Sequence, residues 1–198
     1  MTNRSPAKAV LAEVDAPEMS SPRPRTRRVD LNPHDVAEQG ARFVPQTLRY
    51  LGVSRDVLSD AVQDVFLIAL RRLGDFEGRS SLRTWLYGIC VNVAHEHRRR
   101  ARKATYESLT EESPDVVAAA SQENELERAE WRRSLNALLD ELDENQRAVF
   151  VLYEIEELNM REVADALACP LQTAYFRYKS AKQRVLKAFR RSEARCKA

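Results

Sequence analysis

The sequence predicts an all-α protein made of two small helical modules that a flexible acidic linker joins. The chain has 198 residues but only 5 Gly, and 31% of its residues are charged, a composition that favours helices over sheets. Apolar residues recur mostly at spacings of three and four, the period of an amphipathic helix rather than of a strand. This length suits one large domain or two small ones, and the polar, acidic stretch around Pro114 favours two.

The order of these patterns gives the domain boundaries. We expect a disordered tail at 1–33, a first module at 34–103, a linker at 104–128, a second module at 129–191 and a tail at 192–198. The first tail carries five prolines among Ser, Arg and small residues, so it lacks the apolar surface that would offset its ordering entropy. It is either a spacer or, through its arginines, a weak DNA contact.

The first strong helix of the first module follows Ser54, which is placed to cap it. Its predicted inner stripe consists of Leu58, Val62, Val65, Ala69 and Leu73. A second face carries Asp60, Gln63, Asp64, Leu67 and Arg71. An exposed leucine among acidic residues is either ordinary surface or a face on which a partner docks.

A loop at 74–81 precedes the next helix, which Ser80 or Ser81 can cap near Leu82. Its buried stripe is predicted to be Leu82, Leu86, Ile89 and Val93. A second stripe points elsewhere and contains Trp85, Gly88, Asn92, His95 and Arg99, beside Arg98, Arg100, Arg102 and Lys103. An aromatic ring next to basic side chains suits the binding of unstacked bases.

The second module has the outline of a helix-turn-helix. Asp143 with Gln146 predicts a capping box and a helix to about Ile155, and Asn159 with Glu162 predicts a second box. A break at 168–170 then separates a short helix from a long one that runs from about Leu171 to Phe189. A short helix, a tight turn and a long basic helix match a motif whose second helix enters the major groove, although unrelated helical hairpins share this outline.

The charges are sorted along the chain although the net charge is only +2. Residues 76–103 hold seven Lys or Arg against two acids, 104–157 hold four against fifteen, and 177–198 hold nine against one. Two basic blocks therefore flank an acidic stretch. Basic blocks suit a polyanion such as nucleic acid, and they are also found as merely solvated helix faces.

Two segments resemble, in the right order, regions two and four of extracytoplasmic-function sigma factors of the sigma-70 family. Asp60 to Leu70, Phe76 to Tyr87 and Asn92 before an arginine run resemble region two. The second match comprises Leu142 to Phe150, Arg161 to Leu167 and Thr173 to Arg184. The resemblance implies an alternative sigma factor that binds core RNA polymerase and directs promoter-specific initiation, folded as a region-two helical bundle and a region-four helix-turn-helix bundle.

The resemblance also implies partners and sites. The expected partners are the clamp coiled coil of the largest polymerase subunit, the polymerase flap, promoter DNA and an anti-sigma factor. The residues expected to bind core polymerase are Asp60, Gln63, Asp64 and Leu67. Those expected at the minus-ten element are Phe76, Arg79, Ser80, Trp85, Asn92, His95, Arg98 and Arg99. Those expected at the minus-thirty-five element are Gln172, Thr173, Tyr175, Phe176, Arg177, Lys179 and Lys182.

The sequence departs from the family pattern at two places. Primary sigma factors carry two adjacent tryptophans where this chain has Trp85 followed by Leu, which suggests weaker duplex melting; Trp85 could equally pack between helices. Many relatives carry Gly, a basic residue and Ser where this chain has Gln172, Tyr175 and Phe176. We therefore expect docking on the minus-thirty-five element to persist while the sequence that is recognised differs.

Other functional classes receive no support from the sequence. There is no phosphate-binding loop or nucleophile motif, so we expect no enzyme activity and no cofactor. His95 and His97 are two apart on a helix, which makes a poor metal pair. Three scattered cysteines and the lack of a leader or an apolar span predict a cytoplasmic protein without membrane insertion. The resemblance implies that it is nucleoid-associated.

Two rival interpretations stay open at this point. A regulator could bind duplex DNA through 159–190 without joining polymerase, although the region-two resemblance argues against it. An interaction protein could instead sequester polymerase or an anti-sigma factor without initiating. The acidic linker is either a spacer or, as the resemblance implies, a segment that threads polymerase channels later occupied by RNA.

Overall fold

A computed structural model describes the backbone of residues 31–107 and 134–196. The described residues form helices and turns without a strand, which confirms the all-α prediction. Most of the predicted N-terminal tail and linker, and the last two residues, lie outside the described residues. No helix in the described ranges combines the length and apolar character needed to cross a membrane.

The first module contains four helices within the described residues. They are α1 (Pro33–Ala41), α2 (Val44–Tyr50), α3 (Leu58–Arg72) and α4 (Leu82–Glu107), with a 3-10 turn at Leu73–Asp75. The fourth helix has 26 residues and is therefore about 39 Å long. It continues to Glu107, so the predicted linker begins within a helix rather than directly after residue 103.

The start of α1 shortens the predicted tail. The Asn32 side chain accepts a hydrogen bond from the Asp35 amide at 3.0 Å, and the Asp35 carboxylate accepts one from the Asn32 amide at 2.9 Å. Pro33 occupies the first turn, where its missing N–H costs nothing. These residues belong to the first module because the reciprocal cap and the proline together start the helix.

The predicted Ser54 cap is wrong. Helix α3 begins at Leu58 after Val57, which makes no side-chain capping bond, and Ser54 is separated from it by a turn. The inner face consists chiefly of Ala61, Val65 and Ala69, all fully buried. The spacing of four agrees with the predicted stripe. Ala61 was not predicted as a core position, because the larger apolar residues near it gave a stronger signal.

Helix α4 forms as predicted. Ser81 caps it, since its Oγ accepts a hydrogen bond from the Thr84 amide at 3.0 Å. The predicted stripe is buried, and it consists of Leu82, Leu86, Ile89 and Val93. Tyr87, Cys90, Val91 and Ala94 are buried as well, because neighbouring elements cover α4 on more than one side.

The second module follows the predicted outline. Its helices are α5, described at 134–140, α6 (Glu144–Phe150), α7 (Met160–Ala166) and α8 (Leu171–Cys196). Helix α6 continues as a π-helical turn at Val151–Ile155. Helix α8 extends beyond Phe189, where the sequence had predicted its end.

The two capping predictions in this module differ in outcome. Asn159 and Glu162 form the full reciprocal box at the start of α7. Asp143 accepts the Gln146 amide at 2.9 Å, but the Gln146 side chain donates to Ser180 Oγ at 3.0 Å instead of returning to the cap. The box predicted at Asp143 is therefore a single N-cap, because the Gln146 side chain bonds α8 instead.

The described parts of the two modules pack against each other. Helix α4 of the first module lies against α7 of the second, and the buried residues of both modules form one continuous core. The sequence had predicted two modules joined by a linker and had made no prediction about contact between them.

Candidate nucleic-acid interface

One exposed face of α3 carries all four residues predicted to bind a polymerase subunit. Asp60 and Gln63 are exposed, Asp64 is half-buried, and Leu67 exposes 42% of its surface. Leu70, which the sequence had not singled out, is 44% exposed and lies three residues after Leu67 on the same side. Two exposed leucines beside acidic side chains form a mixed apolar and acidic surface that suits a basic or amphipathic partner.

Asp64 has an intramolecular partner on this face. Its Oδ2 lies 2.9 Å from His97 Nε2 of α4, whose side chain is largely buried. The contact fixes the orientation of Asp64 and joins α3 to the middle of α4. Asp64 therefore serves the packing of the module as well as its surface.

Phe76 of the loop before α4 and Trp85 of α4 itself form an aromatic pair. Trp85 is half-buried and its ring centroid lies 5.3 Å from that of Phe76, with the planes tilted by 58°. Arg79 is exposed and pairs with Glu77 at 2.8 Å, while Ser80 is half-buried. The tilted pair holds the loop against the first turns of α4. Because Trp85 is half-buried, its ring can pack against Phe76 and still present part of its surface to a ligand.

The basic run of α4 is partly neutralised within the chain. Arg99 and Arg100 are exposed and both pair with Glu96, at 2.8 and 2.9 Å. Hydrogen bonds from Arg99 and the charges of both arginines lower the pKa of the Glu96 carboxyl. Arg98 is half-buried and donates to the Leu51 carbonyl oxygen at 3.3 Å.

Two other predicted minus-ten residues of α4 differ in accessibility. Asn92 is exposed, so both its amide donor and its carbonyl acceptor can reach a ligand. His95 is half-buried, and its Nε2 is buried without a hydrogen-bond partner among the described residues. In this arrangement that nitrogen cannot contact a nucleic acid.

The helix-turn-helix places an unusual apolar surface at the start of α8. The turn between α7 and α8 uses Ala168 in the left-handed region, at φ 46°. Phe176 exposes 75% of its surface and Tyr175 50%. Gln172 is also exposed, whereas Thr173 and Arg177 are half-buried. The first two turns of α8 therefore present aromatic, amide and hydroxyl groups together.

Farther along α8 the predicted basic residues have different surroundings. Lys179 is exposed. Lys182 donates to the Tyr178 hydroxyl at 3.2 Å and lies 3.8 Å from a Glu154 oxygen, and Tyr178 itself bonds Glu154. The hydrogen bond to Tyr178 and the nearby charges raise the pKa of Lys182. Glu154 thus offsets part of the positive charge that Lys182 brings to this helix.

Two clefts lie between the described parts of the two modules, and predicted residues of both modules line the second of them. The first, of about 590 Å³, is lined by the loop at 75–80 and Trp85 on one side and by 164–165 and 168–170 on the other. The second, of about 600 Å³, is lined by Arg98 and Arg102 opposite Thr173, Phe176 and Arg177. In the second cleft, residues predicted for two different promoter elements therefore face each other.

Two buried charged residues were missed by the sequence reasoning. Arg147 is 2% exposed and Glu156 is 9% exposed, and both contact the first module. Burial lowers the pKa of Arg147, whereas the hydrogen bond to Asp140 and the charge of Asp140 act to raise it. The sequence does contain a signal for the burial of Arg147. This residue lies four residues before buried Val151, so the pattern places a charged side chain on the apolar face of the helix.

Comparison with known protein families gives two matches. The model of sigma-70 region 2 matches residues 37–104, and the model of sigma-70 region 4 matches residues 132–185. The two matches follow the module order and coincide with the described helices on either side of the linker.

Characterised relatives and solved structures agree with these matches. The chain is 30% identical over 160 residues to the ECF RNA polymerase sigma-E factor of Escherichia coli, covering 77% of this chain and 79% of the relative. It is 30% identical over 137 residues to the RNA polymerase sigma-H factor of Pseudomonas aeruginosa, covering 65% and 71%.

Two structures share the fold. One is the sigma factor RpoE in complex with the anti-sigma factor NepR from Bartonella quintana, with a TM-score of 0.61, 21% identity, and coverage of 79% of this chain and 97% of that one. The other is CnrH in complex with the cytosolic domain of CnrY, with a TM-score of 0.59, 22% identity, and coverage of 79% and 86%.

Proposed function

This chain belongs to the extracytoplasmic-function group of sigma-70 factors and acts as an alternative sigma factor in transcription initiation, and from that premise we propose a separate binding role for each of three surfaces. The α3 face binds core polymerase, the loop at 75–80 with the outer face of α4 binds the minus-ten element, and the start of α8 binds the minus-thirty-five element. The observation that carries the proposal is the exposure of these three surfaces on three separate elements.

For the polymerase surface, we propose contact with the clamp coiled coil of the largest subunit. Leu67 and Leu70 supply apolar area, and Asp60 and Gln63 surround it with polar groups. Central apolar side chains with a polar rim are the usual arrangement of a protein interface. Asp64 contributes mainly by holding α3 against α4 through His97.

For the minus-ten element, we propose that single-stranded bases contact the aromatic pair and the outer face of α4. Phe76 and Trp85 offer ring faces for stacking, and Asn92 offers a donor and an acceptor to a base edge. Arg79 and Arg99 supply phosphate contacts, each after giving up a bond to a neighbouring carboxylate.

For the minus-thirty-five element, we propose that α8 enters the major groove. Gln172, Thr173 and Arg177 carry hydrogen-bonding groups, and Phe176 carries an exposed apolar ring for the thymine methyl group. Lys179 and Lys182 lie later on the helix, where phosphate contacts set position rather than sequence.

The cellular setting follows from these surfaces. We propose that the protein acts in the cytoplasm on nucleoid DNA and performs no catalysis itself. An anti-sigma factor is a further proposed partner, since one structural neighbour is a sigma factor in complex with the anti-sigma factor NepR. The polymerase flap is the proposed partner of the second module.

Run-off transcription tests the proposal directly. Genomic DNA is transcribed by core polymerase with and without the protein, and the new start sites are mapped. The proposal expects new transcripts whose upstream sequences share two elements. Promoter binding by the protein alone would support the rival regulator, and loss of transcription without new start sites would support a sequestering protein.

A further inference from the structure

A π-helical turn brings two adjacent side chains of the second module against α8. The turn spans Val151–Ile155, and the Glu156 amide donates to the carbonyl oxygen five residues earlier at 3.0 Å. A hydrogen bond of this length along the chain shifts the following residues around the helix axis relative to α-helical spacing. Here both Tyr153 and Glu154 reach Tyr178 of α8.

Four side chains form a cluster on the flank of α8. The Tyr178 hydroxyl donates to Glu154 Oε1, and the ring centroids of Tyr153 and Tyr178 lie 4.6 Å apart with the planes tilted by 60°. The Lys182 ammonium donates to the Tyr178 hydroxyl at 3.2 Å and lies 3.8 Å from Glu154 Oε1. It also stands 5.5 Å from the centroid of the Tyr178 ring. Tyr153, Glu154, Tyr178 and Lys182 are called the Glu154 cluster below.

The Glu154 cluster borders the face of α8 that we assign to DNA. Lys182 follows Tyr175 by seven residues, close to two helical turns, so the two side chains lie on the same side of α8. Lys182 exposes 55% of its side chain and Glu154 exposes 37%. A phosphate group that approaches this side of α8 therefore meets a cation and an anion together.

The charges of the Glu154 cluster cancel at neutral pH. Lys182 carries one positive charge, Glu154 carries one negative charge, and the tyrosines are neutral. To contact a phosphate fully, the ammonium has to turn away from the carboxylate. Repulsion between the phosphate and Glu154 opposes whatever attraction Lys182 supplies.

Tyr178 links the lysine to the carboxylate. Its hydroxyl proton goes to Glu154, while the hydroxyl oxygen accepts a hydrogen bond from Lys182. The contact with the Tyr153 ring fixes the position of Tyr178. A lysine side chain has many accessible rotamers, and this link holds Lys182 in one of them, beside Glu154.

We propose that Glu154 is a positioning residue that restrains Lys182 and thereby weakens the phosphate contact of α8, equally for all DNA sequences. The restraint keeps the sequence-independent attraction low, so base contacts supply a larger share of the affinity. The inference rests on the proposed binding of the minus-thirty-five element by α8, and it does not depend on which bases are recognised.

The salt dependence of holoenzyme binding to duplex DNA measures the restraint. The probes are a promoter fragment mapped by run-off transcription and the same fragment with its minus-thirty-five element scrambled. We expect Glu154→Gln to bind both about threefold more tightly at fixed salt, the size of one exposed ion pair. The slope of log K against log salt should steepen by about 0.9, the value of one additional phosphate contact. A damaged fold would weaken binding, so tighter binding with a steeper slope distinguishes restraint from packing.

Glu141→Gln is the matched control. It removes one carboxylate that pairs with a basic residue of the same helix, Arg191, at 2.9 Å. Arg191 lies about 14 Å beyond Lys182 along α8, so affinity and salt slope should stay at the wild-type values. The active fraction of each holoenzyme is titrated first, and equal unfolding midpoints confirm that the variants are folded.

Two further variants test whether Glu154 acts through Lys182. Lys182→Ala should weaken binding to both fragments and make the salt slope shallower. In the Lys182→Ala background the effect of Glu154→Gln should disappear, because no ammonium is left to restrain. Tyr178→Phe keeps the ring but removes the link, and it should reproduce part of the tighter binding.

The outcomes separate the restraint from the proposed function. Unchanged or weaker binding by Glu154→Gln, while Lys182→Ala weakens binding, would overturn the restraint alone. An effect of Glu154→Gln that persists at full size in the Lys182→Ala background would also overturn it, because Glu154 would then act without Lys182. Wild-type binding by Lys182→Ala, Arg177→Ala and Glu154→Gln alike would overturn the assignment of α8 to the minus-thirty-five element and the restraint with it.

Discussion

Phe176 is the residue whose exposure is hardest to explain by folding. It exposes 75% of its surface on the second turn of α8, and burying such a ring against a thymine methyl would remove apolar area from water. We expect replacement of the contacted thymine by uracil in the minus-thirty-five element to weaken holoenzyme binding by about 0.8 kcal/mol, roughly fourfold, the value of one buried methyl group. Binding is measured at fixed salt.

The Phe176→Ala variant provides the control for that prediction. It should bind the thymine and uracil promoters equally, because the ring that distinguishes them is gone. Arg184→Ala, which removes an exposed charge later on α8, should weaken both promoters together. A uracil effect that persists in Phe176→Ala would remove Phe176 from thymine recognition.

Asn92 is exposed on the outer face of α4 and offers a donor and an acceptor. We expect Asn92→Ala to weaken initiation by about 1 kcal/mol, roughly fivefold, at the preferred minus-ten sequence, and to reduce preference within that element. Transcription from a set of single-base promoter variants is the measurement. Gln39→Ala removes an exposed amide from α1 and should change nothing; identical preference in Asn92→Ala would contradict the assignment.

At the scale of elements, helix α3 presents two exposed leucines beside acidic residues. We expect Asp60→Arg combined with Leu67→Ala to weaken binding of core polymerase by about 2 kcal/mol, roughly thirtyfold, as for a truncated central interface residue. Asp60 is chosen over Asp64 because Asp64 bonds His97, so that its reversal would also disturb packing. Competition with a labelled sigma factor for core polymerase measures the loss.

The control for the α3 prediction lies on α1. Glu38→Arg reverses an exposed acid that pairs with Arg42 of its own helix, and it should leave polymerase binding unchanged. Equal unfolding midpoints for the three proteins would exclude a folding defect. A folded double variant that competes normally would show that this face is not the polymerase surface.

At the scale of the whole molecule, two buried groups link stability to alkaline pH. Burial and the Glu156 carboxylate raise the pKa of the Tyr87 hydroxyl, and burial raises the pKa of the Cys90 thiol. A group whose pKa is higher in the folded state binds its proton more strongly there. Its contribution to the free energy of unfolding is therefore complete below the unfolded pKa and is lost as the pH rises toward the folded pKa. The unfolded values are about 8.5 for Cys and about 10 for Tyr.

We therefore expect the free energy of unfolding to fall as pH rises from about 9 to about 11. Denaturant titrations at a series of pH values measure the slope. Tyr87→Phe should reduce the dependence of stability on pH in the upper part of this pH range, and Cys90→Ala should reduce it in the lower part. The stability of each variant is compared with its own value at neutral pH. A wild-type protein whose stability is constant over this range would contradict the prediction.

The helices and their faces could be predicted from the sequence because their signals are local. The Asn159 and Glu162 box, the Ser81 cap and the buried stripe of α4 each depend on residues within one or two turns. The Ser54 cap failed at the same scale, because a turn separates Ser54 from α3. Local patterns thus fixed element type more reliably than element ends.

The exposure of some candidate site residues was predictable from the sequence, but the contacts among their neighbours were not. The sequence placed Leu67, Asn92 and Phe176 on exposed faces, and they are exposed. It could not show that Asp64 bonds His97 or that Glu96 holds Arg99 and Arg100, because surface side chains choose partners by three-dimensional distance.

The sequence by itself determined the all-α class, the two modules and the family, since periodicity, caps and motif order are properties of the chain. Only the tertiary structure decided that the modules meet. Arg147 reaches a carbonyl 97 residues away, and Glu156 reaches a hydroxyl 109 residues away. No local pattern encodes such partners, because their meeting depends on how both modules have folded and on which of their surfaces pack together.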